Sequence, residues 1–274
     1  MSVTAMLTGS EQLDELAVKQ ALSLSTRLQV PLLGLCALPD PSSALLYTTS
    51  PYMIGVGGTA MDSVRNAQDE VISGAREMFE RVTAGAGSAR FEHRTDLTER
   101  AAVDAAALSD AVVFPRPAGT SSHPLARAFE HVMMDARLPV YLTGTAPAES
   151  GPALIAWDGS PQAARAVRMQ ERLVRMAGTA VIAQNPDDLG ERGDRASSSV
   201  DALADWLKHR GVSVETASFT GEVAEGLLQL AGDRQAQMIV AGAYGHSRAG
   251  EFLFGGATRG LLRADEAPAL ALVH

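Results

Sequence analysis

Over residues 151–274, short apolar runs alternate with segments whose apolar positions recur at helical spacing. Residues 153–157, 179–184, 212–219, 237–241 and 269–273 read as five strands. Ser160 followed by Pro161 marks a helix start, because serine caps well and proline's missing N–H is not needed at the first helical position. Ala163, Ala166, Val167, Gln170, Val174 and Ala177 keep the helical period up to Gly178, which predicts one helix over 161–177. Val200, Leu203, Ala204 and Leu207 mark a second helix ended by Gly211. Ala224, Leu227, Leu228 and Ala231 mark a third, opening at Thr220 or Gly221, and a short fourth is predicted over 257–264. Strands alternating with helices imply right-handed crossovers and a parallel sheet covered on both faces.

The first half repeats this plan in worn form. Ala5-Met-Leu-Thr-Gly-Ser10 mirrors Ile155-Ala-Trp-Asp-Gly-Ser160, and Ala111-Val-Val-Phe114 mirrors Met238-Ile-Val-Ala241. Leu138-Pro-Val-Tyr-Leu142 mirrors Ala267-Pro-Ala-Leu-Ala271. The offset between halves is smaller at the back than at the front, so the first half carries extra residues in its middle. They are expected in the stretch from Pro39 through Tyr47, Tyr52 and Met53 to Gly58. A small, proline-bearing linker, Thr145-Ala-Pro-Ala-Glu-Ser-Gly-Pro152, separates two expected domains, 1–147 and 150–274. The apolar last strands of the two halves offer edges through which the halves pair as a pseudo-dimer, and through which whole chains could form a homodimer.

Composition narrows the class. With 46% hydrophobic and 20% charged residues, the 274-residue chain has enough apolar content for two cores. A net charge of −9 and a pI near 5.2 argue against capture of a nucleic-acid backbone, which needs a basic face. The lone Cys36 lies in an apolar run and reads as packing. Neither a basic leader nor an apolar stretch near the roughly 20 residues of a membrane span is visible, so no membrane partner and a cytoplasmic location are expected.

The chemistry concentrates after the fourth strand, where Gly242 to Thr258 holds five glycines. A glycine-rich turn between strand and helix exposes successive N–H groups and, with the helix N-terminus, makes a nest for phosphate oxygens. Gly242 and Gly245 would let the chain pass close under a ribose and phosphates, with Gly255, Gly256 and Thr258 supplying donors. A surface loop whose glycines serve only turns is the other reading. The only lysines, Lys19 and Lys208, do not follow a glycine, so this is not a P-loop. The dinucleotide fingerprint after the first strand is missing too. Ser247 sits one residue too far from the next glycine for a nucleophile elbow. The six histidines show no i, i+4 ligand pair, which argues against a structural metal. His246 reads as a loop hydrogen-bonder. Arg248 beside a nest could pair with phosphate or lie solvated at the surface.

Gly242-x2-Gly245-x9-Gly255-Gly256-Ala-Thr258 after an apolar strand, with Asp158-Gly-Ser160 after strand one and Thr220-Gly-Glu-Val-Ala224 before helix three, resembles the universal stress protein family. The likeness is close from Ala153 to His274 and weak in the first half, as in the tandem form. It implies an α/β fold of two doubly wound, five-stranded, parallel-sheet, Rossmann-like nucleotide-binding domains. It also implies an adenine-nucleotide site: Asp158 near adenine and ribose, the main chain at Asn185 and Pro186 against the base, and Gly242, Gly245 and Gly255 around ribose and phosphates. His246, Ser247 and Arg248 lie within that cradle. Nucleotide-binding members usually carry Ser or Thr after the last glycine, where this chain has Gly256, so a hydroxyl ligand is lost and Thr258 is left to compensate in part. In the first half, Thr8 stands in the place of Asp158, and Pro115-Arg-Pro-Ala-Gly-Thr-Ser-Ser-His-Pro124 lacks the glycine pattern.

The expected function is a stress-response protein that binds ATP or AMP, with or without magnesium, in its second domain, and acts by conformation or assembly. A structural or interaction module of the same fold without nucleotide is the alternative. An ATP-hydrolysing enzyme would need a metal-assisted site that the sequence does not display.

Overall fold

The computed structural model describes residues 2–42, 57–120, 122–145, 150–189, 199–243, 256–264 and 266–274, with main chain only at 57–60, 188 and 189. In the first half these form β1 (Val3–Leu7), α1 (Glu11–Leu28), β2 (Leu32–Leu38), α2 (Gly57–Val82), β3 (Ala89–Thr95), α3 (Thr98–Ala106), β4 (Ala111–Phe114), α4 (Ala126–Glu130) and β5 (Val140–Leu142). The second half comprises β6 (Ala153–Ala156), α5 (Pro161–Met169), α6 (Glu171–Ala177), β7 (Thr179–Gln184), α7 (Pro186–Leu189), α8 (Val200–Lys208), β8 (Ser213–Ser218), α9 (Val223–Asp233), β9 (Met238–Gly242), α10 (Gly256–Arg263) and β10 (Ala269–Val273).

The ten strands make one sheet in the order β3-β2-β1-β4-β5-β10-β9-β6-β7-β8. Each half is parallel within itself, and the halves join antiparallel, Tyr141 opposite Ala271, across a pseudo-twofold axis. The last strands therefore pair edge to edge, as their apolar sequences predict. Alternate side chains along each strand feed two buried clusters on opposite faces: Val3, Ala5 and Ile155 on one, Met6, Val112 and Leu154 on the other. This two-sided burial is why the strands read as continuous apolar runs.

Polar side chains tie the halves together at the seam. Arg27 donates to Gln237 Oε1 (2.7 Å) and to Met176 O, while Arg172 donates to Asp110 Oδ1 and to Leu28 O. Asp110 and Gln237 each stand just before the fourth strand of their half, so the two arginines make reciprocal clamps. Arg116 crosses elsewhere on the seam, donating from its guanidinium to Pro268 O (2.9 Å) and Leu261 O (2.6 Å).

Three local details differ from the sequence pattern. The helix predicted over 161–177 breaks at Gln170, whose φ of −105° and ψ of 18° separate α5 from α6. No glycine or proline announces that break, and the apolar period runs through it. Helix α9 is capped by Glu222, whose carboxylate accepts from the N–H groups of Ala224 and Glu225, so it opens two residues later than Thr220. The extra length of the first half lies partly in helix: α2 spans 26 residues against 9 for α8. Residues 43–56, where the insertion was placed with Tyr47, Tyr52 and Met53, fall outside the described residues. Cys36 is fully buried, and burial pushes its thiol up to about 11, which suits a packing role.

Candidate functional site at the carboxyl ends of β6 and β9

Strand β6 lies between β9 and β7, so the loops leaving these three strands converge on one crevice. The order of strands reverses there, which is where open α/β sheets bind ligands. Asp158, Asn185 and Gly242 stand at the three exits.

The β6 exit is a tight turn. Gly159 takes a φ of +71°, a left-handed conformation that favours glycine. Asp158 Oδ1 accepts from Ser160 N (2.9 Å), and Ser160 Oγ caps α5 by accepting from Ala163 N (3.1 Å). Asp158 is half-buried, and its second carboxylate oxygen has no hydrogen bond among the described residues. Next to it in the chain, the Trp157 ring is buried with its Nε1 donor unpartnered among the described residues.

At the β7 exit, Asn185 is buried, and its side chain holds the loop together. Nδ2 donates to Gly221 O (3.0 Å) and Oδ1 accepts from Asp187 N (3.1 Å). Both ends of the Asn185 amide are thus spent on the scaffold. Pro186 is exposed and starts α7.

At the β9 exit, Gly242 has a packing reason of its own. A Cβ there would lie 2.9–3.0 Å from the main chain of Gln162 and Ala163, so the first turn of α5 rests directly on it. Gly256 differs: a Cβ there would meet nothing within 4 Å among the described residues. Thr258 is buried in the first turn of the same helix. Gly245, His246, Ser247, Arg248 and Gly255 lie outside the described residues. Among the described residues, no group of three His, Cys, Asp or Glu could hold a metal ion, and no helix is long and apolar enough to cross a membrane.

The first half keeps the same turn and closes it. Gly9 takes a φ of +85°, and Thr8 Oγ1 accepts from Ser10 N (3.1 Å), the bond that Asp158 makes in the second half. The acidic charge has moved to α1. Asp14, fully buried, accepts from Thr8 N, Thr8 Oγ1 and Gly9 N at 2.8–3.0 Å. Ala164 occupies the matching place in α5 and offers no acceptor. Val71 of α2 also packs on Gly9. A carboxylate of the chain's own and a covering helix thus occupy the ground that a ligand would need.

Asp14 and Arg116 were not singled out from sequence. Asp14 sits on the buried side of the helix beside Ala17, Val18 and Ala21, where it is the one charged residue, and that misfit is the signal that could have found it. Arg116 lies between two prolines and carries no such pattern.

The comparisons agree with this geometry. Residues 151–272 match the model of the universal stress protein family. No curated protein matches the chain in sequence. Its fold resembles that of a universal stress protein from Archaeoglobus fulgidus DSM 4304, at 14% identity and a TM-score of 0.66, over 99% of this chain and 97% of that one. It also resembles a functionally unknown protein from Pseudomonas aeruginosa PAO1, at 17% identity and a TM-score of 0.54, over 99% and 92% of the two chains. Residues 151–272 of this chain thus form a domain of the universal stress protein family, on a fold that the first half repeats.

Proposed function

We propose that the second half binds one adenine nucleotide, ATP or AMP, in the crevice between β6 and β9, and that the first half binds none. The supporting observation is the contrast between Asp158, half-buried with one oxygen uncommitted, and its counterpart loop, where Asp14 takes the Thr8 and Gly9 N–H groups. Asp158 would accept from ribose hydroxyls or the adenine amine. The main chain at Asn185 and Pro186 would face the base. The turn from Gly242 through Gly245, His246, Ser247, Arg248 and Gly255 to Gly256 and Thr258 would wrap the phosphates, with the N-terminus of α10 favouring their charge. Magnesium, if carried in, would arrive on the phosphates.

The protein's proposed role is cytoplasmic stress response, with the nucleotide acting on conformation or assembly. Domains 1–147 and 150–274 divide the labour: the first closes the seam and the second carries the ligand. Mass analysis of small molecules released on denaturing purified protein tests this reading. Adenine nucleotide in amounts near one per chain supports it, and a chain that releases none and takes up none at about millimolar ATP or AMP contradicts it.

A further inference from the structure

A cavity of about 230 Å³ opens at the seam between the halves, at the amino ends of β4 and β5 and so away from the nucleotide crevice. Ala107, Leu138 and Pro139 of the first half and Met169 of the second are among its walls. Three large apolar side chains are exposed among the described residues, and two of them meet here. Met169, 39% exposed, is itself a wall, while Leu108, 81% exposed, stands in solvent between the wall residues Ala107 and Ser109. A lone exposed leucine is ordinary, but one set beside an apolar cavity that bears an exposed methionine forms a patch shared by both halves.

The patch thus carries a knob and a socket side by side. Such a surface complements itself: a second copy turned about a twofold axis places each knob in the other's socket. The flanking charges fit the same partner. Asp104, four residues before Leu108 and so about one helical turn away, and Arg168, next to Met169, are both exposed, and neither has an ion pair or hydrogen bond among the described residues. With Leu108 of one chain beside Met169 of the other, Asp104 of the first comes to the Arg168 side of the second, where opposite charges attract. The last strands, which the sequence offers as edges for joining whole chains, are both spent within the chain, β5 on β10, so a homodimer needs another surface.

We propose that two copies of this chain associate through this patch as an isologous dimer, with Leu108 of each entering the seam cavity of the other beside Leu138 and Met169. Pairing of Asp104 with Arg168 across the axis, made twice by symmetry, sets the orientation. The socket is walled by both halves, so association also favours the state in which the seam is closed. None of these residues belongs to the nucleotide crevice, and the dimer does not depend on nucleotide binding.

Sedimentation equilibrium of the full chain over a range of concentrations tests this. Wild type should pass from monomer to dimer as concentration rises. Leu108→Glu should weaken association at least about tenfold, while the thermal unfolding midpoint of the dilute, monomeric chain stays unchanged because the replaced side chain stands in solvent. Asp104→Arg should weaken association as well, and adding Arg168→Asp to that variant should restore it, a recovery that damage to the fold would not produce. A wild type that stays monomeric at about 100 µM, a dimer indifferent to Leu108→Glu, or a charge-exchanged double variant no stronger than Asp104→Arg alone would each overturn the proposal.

Discussion

The main-chain N–H of Thr8 donates to both carboxylate oxygens of Asp14 in the first half, 3.0 Å to Oδ1 and 2.8 Å to Oδ2. The second half carries its acid in the loop itself, at Asp158. Shifting the carboxylate from loop to helix turns a potential ligand contact into an internal brace. Asp14→Ala would leave the Thr8 and Gly9 N–H groups unpaired and should cost about 2–3 kcal/mol of unfolding free energy, measured by urea denaturation. A loss below the error of that measurement would contradict the brace.

The same residue sets a pH dependence. Burial holds the Asp14 carboxyl above its usual range, outweighing the lowering effect of the bonds from Thr8 and Gly9. A raised folded value means that its contribution to stability is complete at acid pH, below the unfolded value, and is lost as pH climbs through the folded one. The stability of wild type minus that of Asp14→Asn should therefore fall over the pH window that opens above the ordinary aspartate value of 3.8. A difference that grows over this window would reverse the assignment.

Gly256 is the position where a substitution should improve the site. Among the described residues nothing lies within 4 Å of the place of its Cβ, so Gly256→Ser adds a hydroxyl at the start of α10 without a clash with them. ATP affinity should rise about fivefold, the effect of one added hydrogen bond, as read by calorimetry. An unchanged affinity would place the phosphates elsewhere.

Gly242 should behave in the opposite way. Gly242→Ala drives a methyl into the main chain of Gln162 and Ala163 and should destabilise the protein by about 1–3 kcal/mol even without ligand. Thermal unfolding of the apo protein is the check.

Arg116→Met removes the donors to Leu261 O and Pro268 O while keeping much of the side chain's bulk. It should cost about 2–3 kcal/mol and split one unfolding transition into two as the halves uncouple. A single unshifted transition would show that the β5–β10 pairing and the Arg27 and Arg172 clamps hold the seam without Arg116.

Much of the fold was legible because buried parallel strands announce themselves as apolar runs. The duplication was visible in Thr8-Gly-Ser10 against Asp158-Gly-Ser160, and the structure gives both glycines the same left-handed turn. Strand order was not readable from the sequence; the pairing of β6 with β9 is what sets the exits at Asp158 and Gly242 side by side. What sequence did not convey depends on contacts distant in the chain. Gly242 reads as a ligand glycine, yet α5 gives it a packing reason too. Asn185 stands at the end of β7, and its amide is committed to Gly221 and Asp187, a pairing that the sequence does not announce. The closing of the first-half site by Asp14 and Val71 needs two helices brought against one loop, which periodicity alone does not specify.

Isothermal titration of the full chain with ATP and AMP, alongside Asp158→Ala, tests the central claim most directly. One nucleotide per chain, lost or weakened at least about tenfold in the variant, is the predicted result. Two nucleotides per chain, or binding indifferent to Asp158, would contradict it.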